Sequence, residues 1–215
     1  MRVTFRTGRF CHAVGQPVDY ADARRFQCVV VGVLMLTAVV AFTMVVLADV
    51  DTALDTARWF GWPFTVSMLA AAVVGLALFL TTATGVHTYW FHPAHLPRER
   101  QNRAIALAYY ACAPLLYAAV ALPVLGLGIA WSVAYGADHS VSVSLMVSGG
   151  VVVALAVAAW AWVCLRMVSR IAERGVVGPL LFLIAQPLLV LLLLAVFGFG
   201  PPLVVLYLWI MGLTW

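Results

Sequence analysis

The segment 85–103, GVHTYWFHPAHLPRERQNR, collects the side chains best suited to chemistry: His87, His92 and His95. Imidazole nitrogens bind transition metals, so three of them in nine residues form a candidate metal or haem site. Pro93 and Pro97 oppose it, because they prevent one regular helix from carrying His92 and His95 on a face. The neighbours Tyr89, Trp90 and Phe91 belong to another pattern, the aromatic belt at a membrane–water interface, where histidine is also at home. The segment is therefore expected to be an interfacial loop that holds no metal and no cofactor.

The H-x4-H-x2-H spacing bears a loose likeness to membrane di-iron oxygenases and desaturases. Those enzymes use many more histidines, in several boxes with adjacent pairs. This chain has five, and His12 and His139 are remote from the other three. No Gly-rich phosphate loop, nucleophile elbow or paired-carboxylate motif occurs. Cys11, Cys28, Cys112 and Cys164 form no C-x-x-C pair, and the last two fall in apolar runs where a thiol packs as a small hydrophobe.

Arginine is the other chemically active residue type. Arg166, Arg170 and Arg174 recur every four residues along one helical face, and Arg98, Arg100 and Arg103 form a second cluster. Either can meet anionic lipid headgroups, at about 1 kcal/mol per arginine near an anionic leaflet, or an acidic partner. Either can also serve as a plain anchor of helix ends. Helix-disturbing residues form a third set: Tyr110 with Pro114, then Pro123, then Gln186 with Pro187. Pro114 lacks an N–H and clashes with the Tyr110 carbonyl, which predicts a kink there. Pro123 is expected to end that helix and leave 124–131 as a separate piece. Such breaks line substrate pockets in transporters, although membrane helices also tolerate proline without one.

The elements that must position these residues follow from composition. Of 215 residues, 65% are hydrophobic and 9% charged. A soluble domain is about half apolar and about a quarter charged. A soluble fold, a disulfide scaffold and a nucleic-acid binder are excluded, and the chain is an integral membrane protein. A bilayer core about 30 Å thick needs about 20 apolar residues of helix. Five runs satisfy this: 28–48, 62–84, 104–131, 141–165 and 179–198. A shorter run, 201–215, follows Gly198, Gly200, Pro201 and Pro202 and is expected to be a short returning span. Residues 1–27 form a polar arm, and the apolar run after it is longer than the core of a cleaved signal, about 7–15 residues.

Arginine counts test this map. Twelve arginines and no lysine occur, and the polar segments in order hold five, one, three, zero, three and zero of them. That alternation obeys the positive-inside rule and puts the N-terminus in the cytoplasm, in a plasma (inner) membrane. The runs themselves contain no Asp, Glu, Arg, Lys or His, which argues against an ion-coupled transporter. Gly150, Ala154 and Ala158, four apart, mark a small-residue stripe expected to pack against a neighbouring helix of the same chain, with a homo-oligomer seam as the alternative.

The stretch 98–174 joins a basic approach, RERQNRAIALAYYACAPLL, to a span with Tyr110 and Pro114 near its start. Gly126 and Gly128, a short loop, a small-residue span and an arginine-rich turn follow. This order resembles the Yip family, five-span membrane proteins that interact with Rab-type GTPases. The resemblance implies a helical bundle with a cytoplasmic N-terminus. Rab binding is not carried over, because the Tyr-Gly-Pro motif ahead of the first span is missing here.

The expectation is an all-α polytopic bundle, five full spans plus a short sixth segment, acting as a non-enzymatic scaffold or partner-binding protein. Its partners would be anionic headgroups, another membrane protein or a second copy, and not nucleic acid. A small transporter or channel component is the alternative, followed by a histidine-dependent membrane enzyme.

Overall fold

The computed structural model describes residues 19–86, 98–136, 140–171 and 177–212. Among them there is no strand. In chain order the helices are α1 (Tyr20–Ala48), α2 (Val50–Phe60), α3 (Trp62–Val86), α4 (Arg98–Tyr110), α5 (Leu115–Tyr135), α6 (Ser140–Ile171) and α7 (Val177–Leu193). A π-helical turn (Leu194–Phe199) and α8 (Gly200–Ile210) complete the chain. Five stretches are long and apolar enough to cross a membrane: Tyr20–Ala48, Trp62–Gly85, Ile105–Tyr135, Ser140–Arg166 and Ile184–Ile210. The protein is an all-α polytopic membrane protein.

Helix ends follow local chemistry. The Asp19 carboxylate accepts the Ala21 N–H at 2.8 Å and starts α1, with Asp22 favourably placed in the first turn. Asp49 ends α1 and starts α2, its carboxylate accepting the Thr52 N–H at 3.1 Å. Gly61 closes α2 with φ of 84°, which an L side chain rarely adopts. Within the spans Thr37, Thr43, Thr65, Thr82 and Thr84 each donate a hydroxyl to the carbonyl four residues earlier. Polar side chains are thereby satisfied without water.

Proline acts at one expected place and not at two others. Pro114 offers no N–H to the Tyr110 carbonyl, which instead accepts the Ala113 N–H at 3.1 Å. The chain tightens into successive i→i+3 bonds over 111–114, and α4 and α5 are separate helices. Pro123, expected to end a helix, lies inside an uninterrupted α5. Pro187, beside Gln186, lies inside α7. Neither forms a break.

The expected sixth segment is also corrected. Leu193, Phe199 and Gly200 all keep right-handed helical dihedrals, so α7, the π turn and α8 run on as one continuous helical stretch. Pro201 and Pro202 occupy the first positions of α8, where missing N–H groups are tolerated best. The wider π turn before them, with Gly198 and Gly200, absorbs the clash that two prolines would cause in a regular helix. Ile184–Ile210 has 27 residues. At 1.5 Å each it rises about 40 Å, enough to cross a core about 30 Å thick at a tilt.

The helices divide into a core and an arm. α5 is the central helix and packs most extensively against α6 and α1. Val30 and Leu34 of α1, Leu115, Ala118 and Ala119 of α5, and Ala156 of α6 form the buried seam with Cys112. The arm is α3 with α7, the π turn and α8, joined to the core by smaller α1–α3 and α6–α7 contacts.

Candidate functional site

Two sets of contacts show which ends of the helices lie together. At one end the Tyr20 and Tyr109 hydroxyls are 3.3 Å apart and the Phe26 and Tyr110 rings 5.1 Å apart, so α1 starts beside α4. The Gln27 amide donates to the Thr84 hydroxyl at 2.8 Å and to the Thr81 carbonyl at 3.3 Å, bringing in the end of α3. At the other end Phe60 packs edge-on and Phe64 tilted against Trp209 of α8, with ring centres 5.7 and 5.0 Å away. Neighbouring elements α5 and α6 are antiparallel, since Gly128 faces Met146 and Gly149 faces Leu125. Continuing that register sets Arg166 level with the end of α4.

The fold therefore draws Arg24 and Arg25 of α1, Arg98, Arg100 and Arg103 of α4, and Arg166 and Arg170 of α6 to one end. Arg58 lies at the other end with Asp49, Asp51 and Asp55. Arg24, Arg98 and Arg166 are exposed. Arg25 meets Asp22 at 3.3 Å, an exposed pair that contributes little to stability. Arg58 meets Asp55 in the same way at 3.2 Å. The Arg166 guanidinium lies 4.9 Å from the centre of the Trp162 ring, one turn earlier on α6. The ring's negative face holds the cation there.

A groove of about 610 Å³ separates α6 from α7. Ala158, Ala161, Trp162 and Leu165 form one wall, and Gln186 and Pro187 part of the other. A second groove, about 400 Å³, lies between α1 and α3, with Val39 and Phe42 facing Leu69 and Val73. Each groove marks one of the two places where arm meets core.

His87, His92, His95 and Arg174 lie outside the described residues. Among the described residues no group of His, Cys, Asp or Glu converges to hold a metal ion. Cys112 and Cys164 are fully buried, and the Cys112 thiol donates to the Tyr109 carbonyl at 2.9 Å. Both pack as small hydrophobes. Among the described residues the small-residue stripe makes no close helix contact: a Cβ at Gly150 would meet nothing within 4 Å, and Ala154 and Ala158 are exposed. The adjacent Gly149 makes the close approach instead.

Two features escaped the sequence reading. Gln27 fell outside the first apolar run, yet it is buried and bridges α1 to α3. The Trp162–Arg166 contact was visible as a W-x3-R spacing, which puts both residues on one helix face. Comparison with protein-family models, curated proteins and solved structures found no match.

Proposed function

We propose that this chain is a non-enzymatic membrane scaffold of Yip-like type, seated in a plasma (inner) membrane with its N-terminus in the cytoplasm. It presents a basic cytoplasmic face to acidic partners and to the anionic leaflet. The observation that carries this reading is the gathering of arginines from α1, α4 and α6 to one end of the bundle. Three elements distant in sequence build one positive surface, and such surfaces steer and hold acidic partners.

The test is charge reversal at Arg24, Arg25 and Arg98, all exposed, followed by quantitative cross-linking in intact membranes. The expected result is a severalfold fall in the yield of cross-linked acidic partners, with the purified variant as monodisperse and helical as the parent. An unchanged yield from a folded variant would sink the scaffold reading.

A transporter is the second reading, favoured by one observation. The arm joins the core along two open grooves rather than along a packed seam. Rocking of one helix group against another is how many transporters alternate access. Accumulation of a solute in vesicles, dependent on the protein, would favour it.

A further inference from the structure

We propose that Arg24 and the hydroxyl pair of Tyr20 and Tyr109 bind the phosphate of one anionic phospholipid, whose acyl chain lies along the exposed face of α1 below them. This deepens the basic-face reading above, and rests on it for the leaflet that supplies the lipid.

The donors converge where α1 begins beside the end of α4. The Tyr20 and Tyr109 hydroxyls are 3.3 Å apart, with ring centres 5.7 Å apart. Two phenols carry two O–H groups, and the bond between them uses one. The other is left to donate outward. Arg24 follows Tyr20 by one turn on the same face of α1, and its charge reaches the Tyr109 hydroxyl. Arg24 is exposed and forms no ion pair among the described residues. The acidic neighbours are engaged elsewhere. Asp22 meets Arg25 at 3.3 Å, and Asp19 accepts the Ala21 N–H at 2.8 Å. A guanidinium and an O–H thus stand together without an acceptor, and the oxygens of a phosphate suit both.

The surface below favours a lipid over a soluble anion. Tyr20, Arg24, Cys28, Gly32 and Leu36 recur every four residues, and all are exposed. Below Arg24 this stripe is apolar, and a Cβ at Gly32 would meet nothing within 4 Å. The small side chains at Cys28 and Gly32 let an acyl chain lie close to the helix. Arg24 to Gly32 is eight residue steps, about 12 Å, most of the depth of one leaflet in a core about 30 Å thick. Tyrosine is at home at the headgroup level from which such a chain descends. Charge then selects among lipids. Phosphatidylcholine carries a quaternary ammonium beside its phosphate, which offsets the attraction to Arg24. Phosphatidylglycerol keeps its net negative charge, and basic sites on the cytoplasmic side of membrane helices bind such headgroups.

The test is native mass spectrometry of the full chain in mild detergent, with phosphatidylglycerol, phosphatidylcholine or inorganic phosphate added. Each variant is first shown to be as monodisperse and helical as the parent. One phosphatidylglycerol should be retained at least tenfold more tightly than phosphatidylcholine, and inorganic phosphate should not displace it. Arg24→Gln should remove that preference. Arg25→Gln should keep it, because Asp22 already takes that charge. Tyr109→Phe keeps the ring and should weaken phosphatidylglycerol severalfold. Gly32→Phe, which fills the open position, should weaken both lipids. Equal retention of the two lipids by the parent overturns the site, as does a preference that survives Arg24→Gln. Equal losses from Arg24→Gln and Arg25→Gln, or no loss from Tyr109→Phe, overturn it in favour of diffuse surface charge. Displacement by inorganic phosphate, or indifference to Gly32→Phe, overturns the lipid as occupant. If charge reversal at Arg24, Arg25 and Arg98 leaves cross-linking unchanged while the parent keeps its adduct, the scaffold reading fails and the lipid site stands. Lost cross-linking with no adduct on the parent does the reverse.

Discussion

At the scale of the residue, Gln27 is the most informative side chain in the bundle. It is buried, and its amide donates to Thr84, whose hydroxyl in turn donates to the Leu80 carbonyl at 2.6 Å. The relay clasps α1 to α3, where apolar packing between core and arm is limited. Hydrogen bonds between membrane helices contribute about 0.6 kcal/mol on average and up to about 1.7 kcal/mol. A double-mutant cycle of Gln27→Leu and Thr84→Val should return a coupling energy in that range, read by unfolding of the purified protein in mixed detergent. Additive effects would mean that the 2.8 Å bond does not hold the arm. Gln27 was not legible from the sequence because hydropathy marks where apolar residues begin, and a lone amide next to arginines reads as part of the polar arm. The tie of Arg166 to Trp162, by contrast, follows from helical spacing alone.

At the scale of the element, close approach decides which helices form the core. A Cβ on Gly126 would lie 2.7 Å from the Ala41 Cα and Cβ on α1. On Gly128 it would lie 2.8 Å from the Met146 nitrogen, and on Gly149 2.9 Å from the Leu125 nitrogen. Backbone atoms cannot step aside as a flexible side chain can, so each substitution must push two helices apart. Gly126→Ala, Gly128→Ala and Gly149→Ala should each destabilise the bundle by about 1–3 kcal/mol, the usual cost of overpacking. Gly150→Ala should be neutral or slightly stabilising, since it meets open space. Thermal denaturation in detergent, followed by size-exclusion chromatography, ranks the four. Equal behaviour of Gly149→Ala and Gly150→Ala would contradict the packing of α5 on α6. Here the sequence was ambiguous for a geometric reason. Two adjacent glycines differ by about 100° around a helix, and the regular Gly150–Ala154–Ala158 spacing pointed to the wrong one. The run of Gly198, Gly200, Pro201 and Pro202 misled in a similar way. In water it would stop a helix, but without water the backbone polar groups must still be paired, and a π turn keeps the helix going.

At the scale of the whole molecule, the apolar runs and the alternation of arginines were legible because the bilayer imposes one length and one charge asymmetry on every crossing. The division into core and arm was not, since it depends on which faces meet. It has a measurable consequence. Spin labels placed on the exposed surfaces of α1 and α3, at Val39→Cys and Val73→Cys, should give a broader distance distribution than a pair on α5 and α6. The first pair straddles the 400 Å³ groove, while the second reports on a close-packed seam. Equally narrow distributions would make the arm a rigid part of the bundle and remove the observation that favours a transporter. The number of crossings has a consequence of its own. Five crossings leave the ends of the chain on opposite sides, whereas a returning sixth segment would bring them to the same side. Single cysteines at Asp51, Arg98 and Gly212, in a chain whose native cysteines are replaced by serine or alanine, can be labelled in intact cells with a membrane-impermeant maleimide. With a cytoplasmic N-terminus, the cysteines at Asp51 and Gly212 should react from outside and the one at Arg98 only after permeabilisation. Joint labelling of Asp51 and Gly212 follows from the contact of Trp209 with Phe60 and Phe64, which fixes the end of α8 beside the start of α3. A cysteine at Gly212 protected together with that at Arg98 would mean that the chain turns back at Gly200 and that the continuous α7–α8 crossing does not exist in the membrane. Labelling of Arg98 alone in intact cells would keep the five crossings and invert the molecule, turning its basic face away from the cytoplasm.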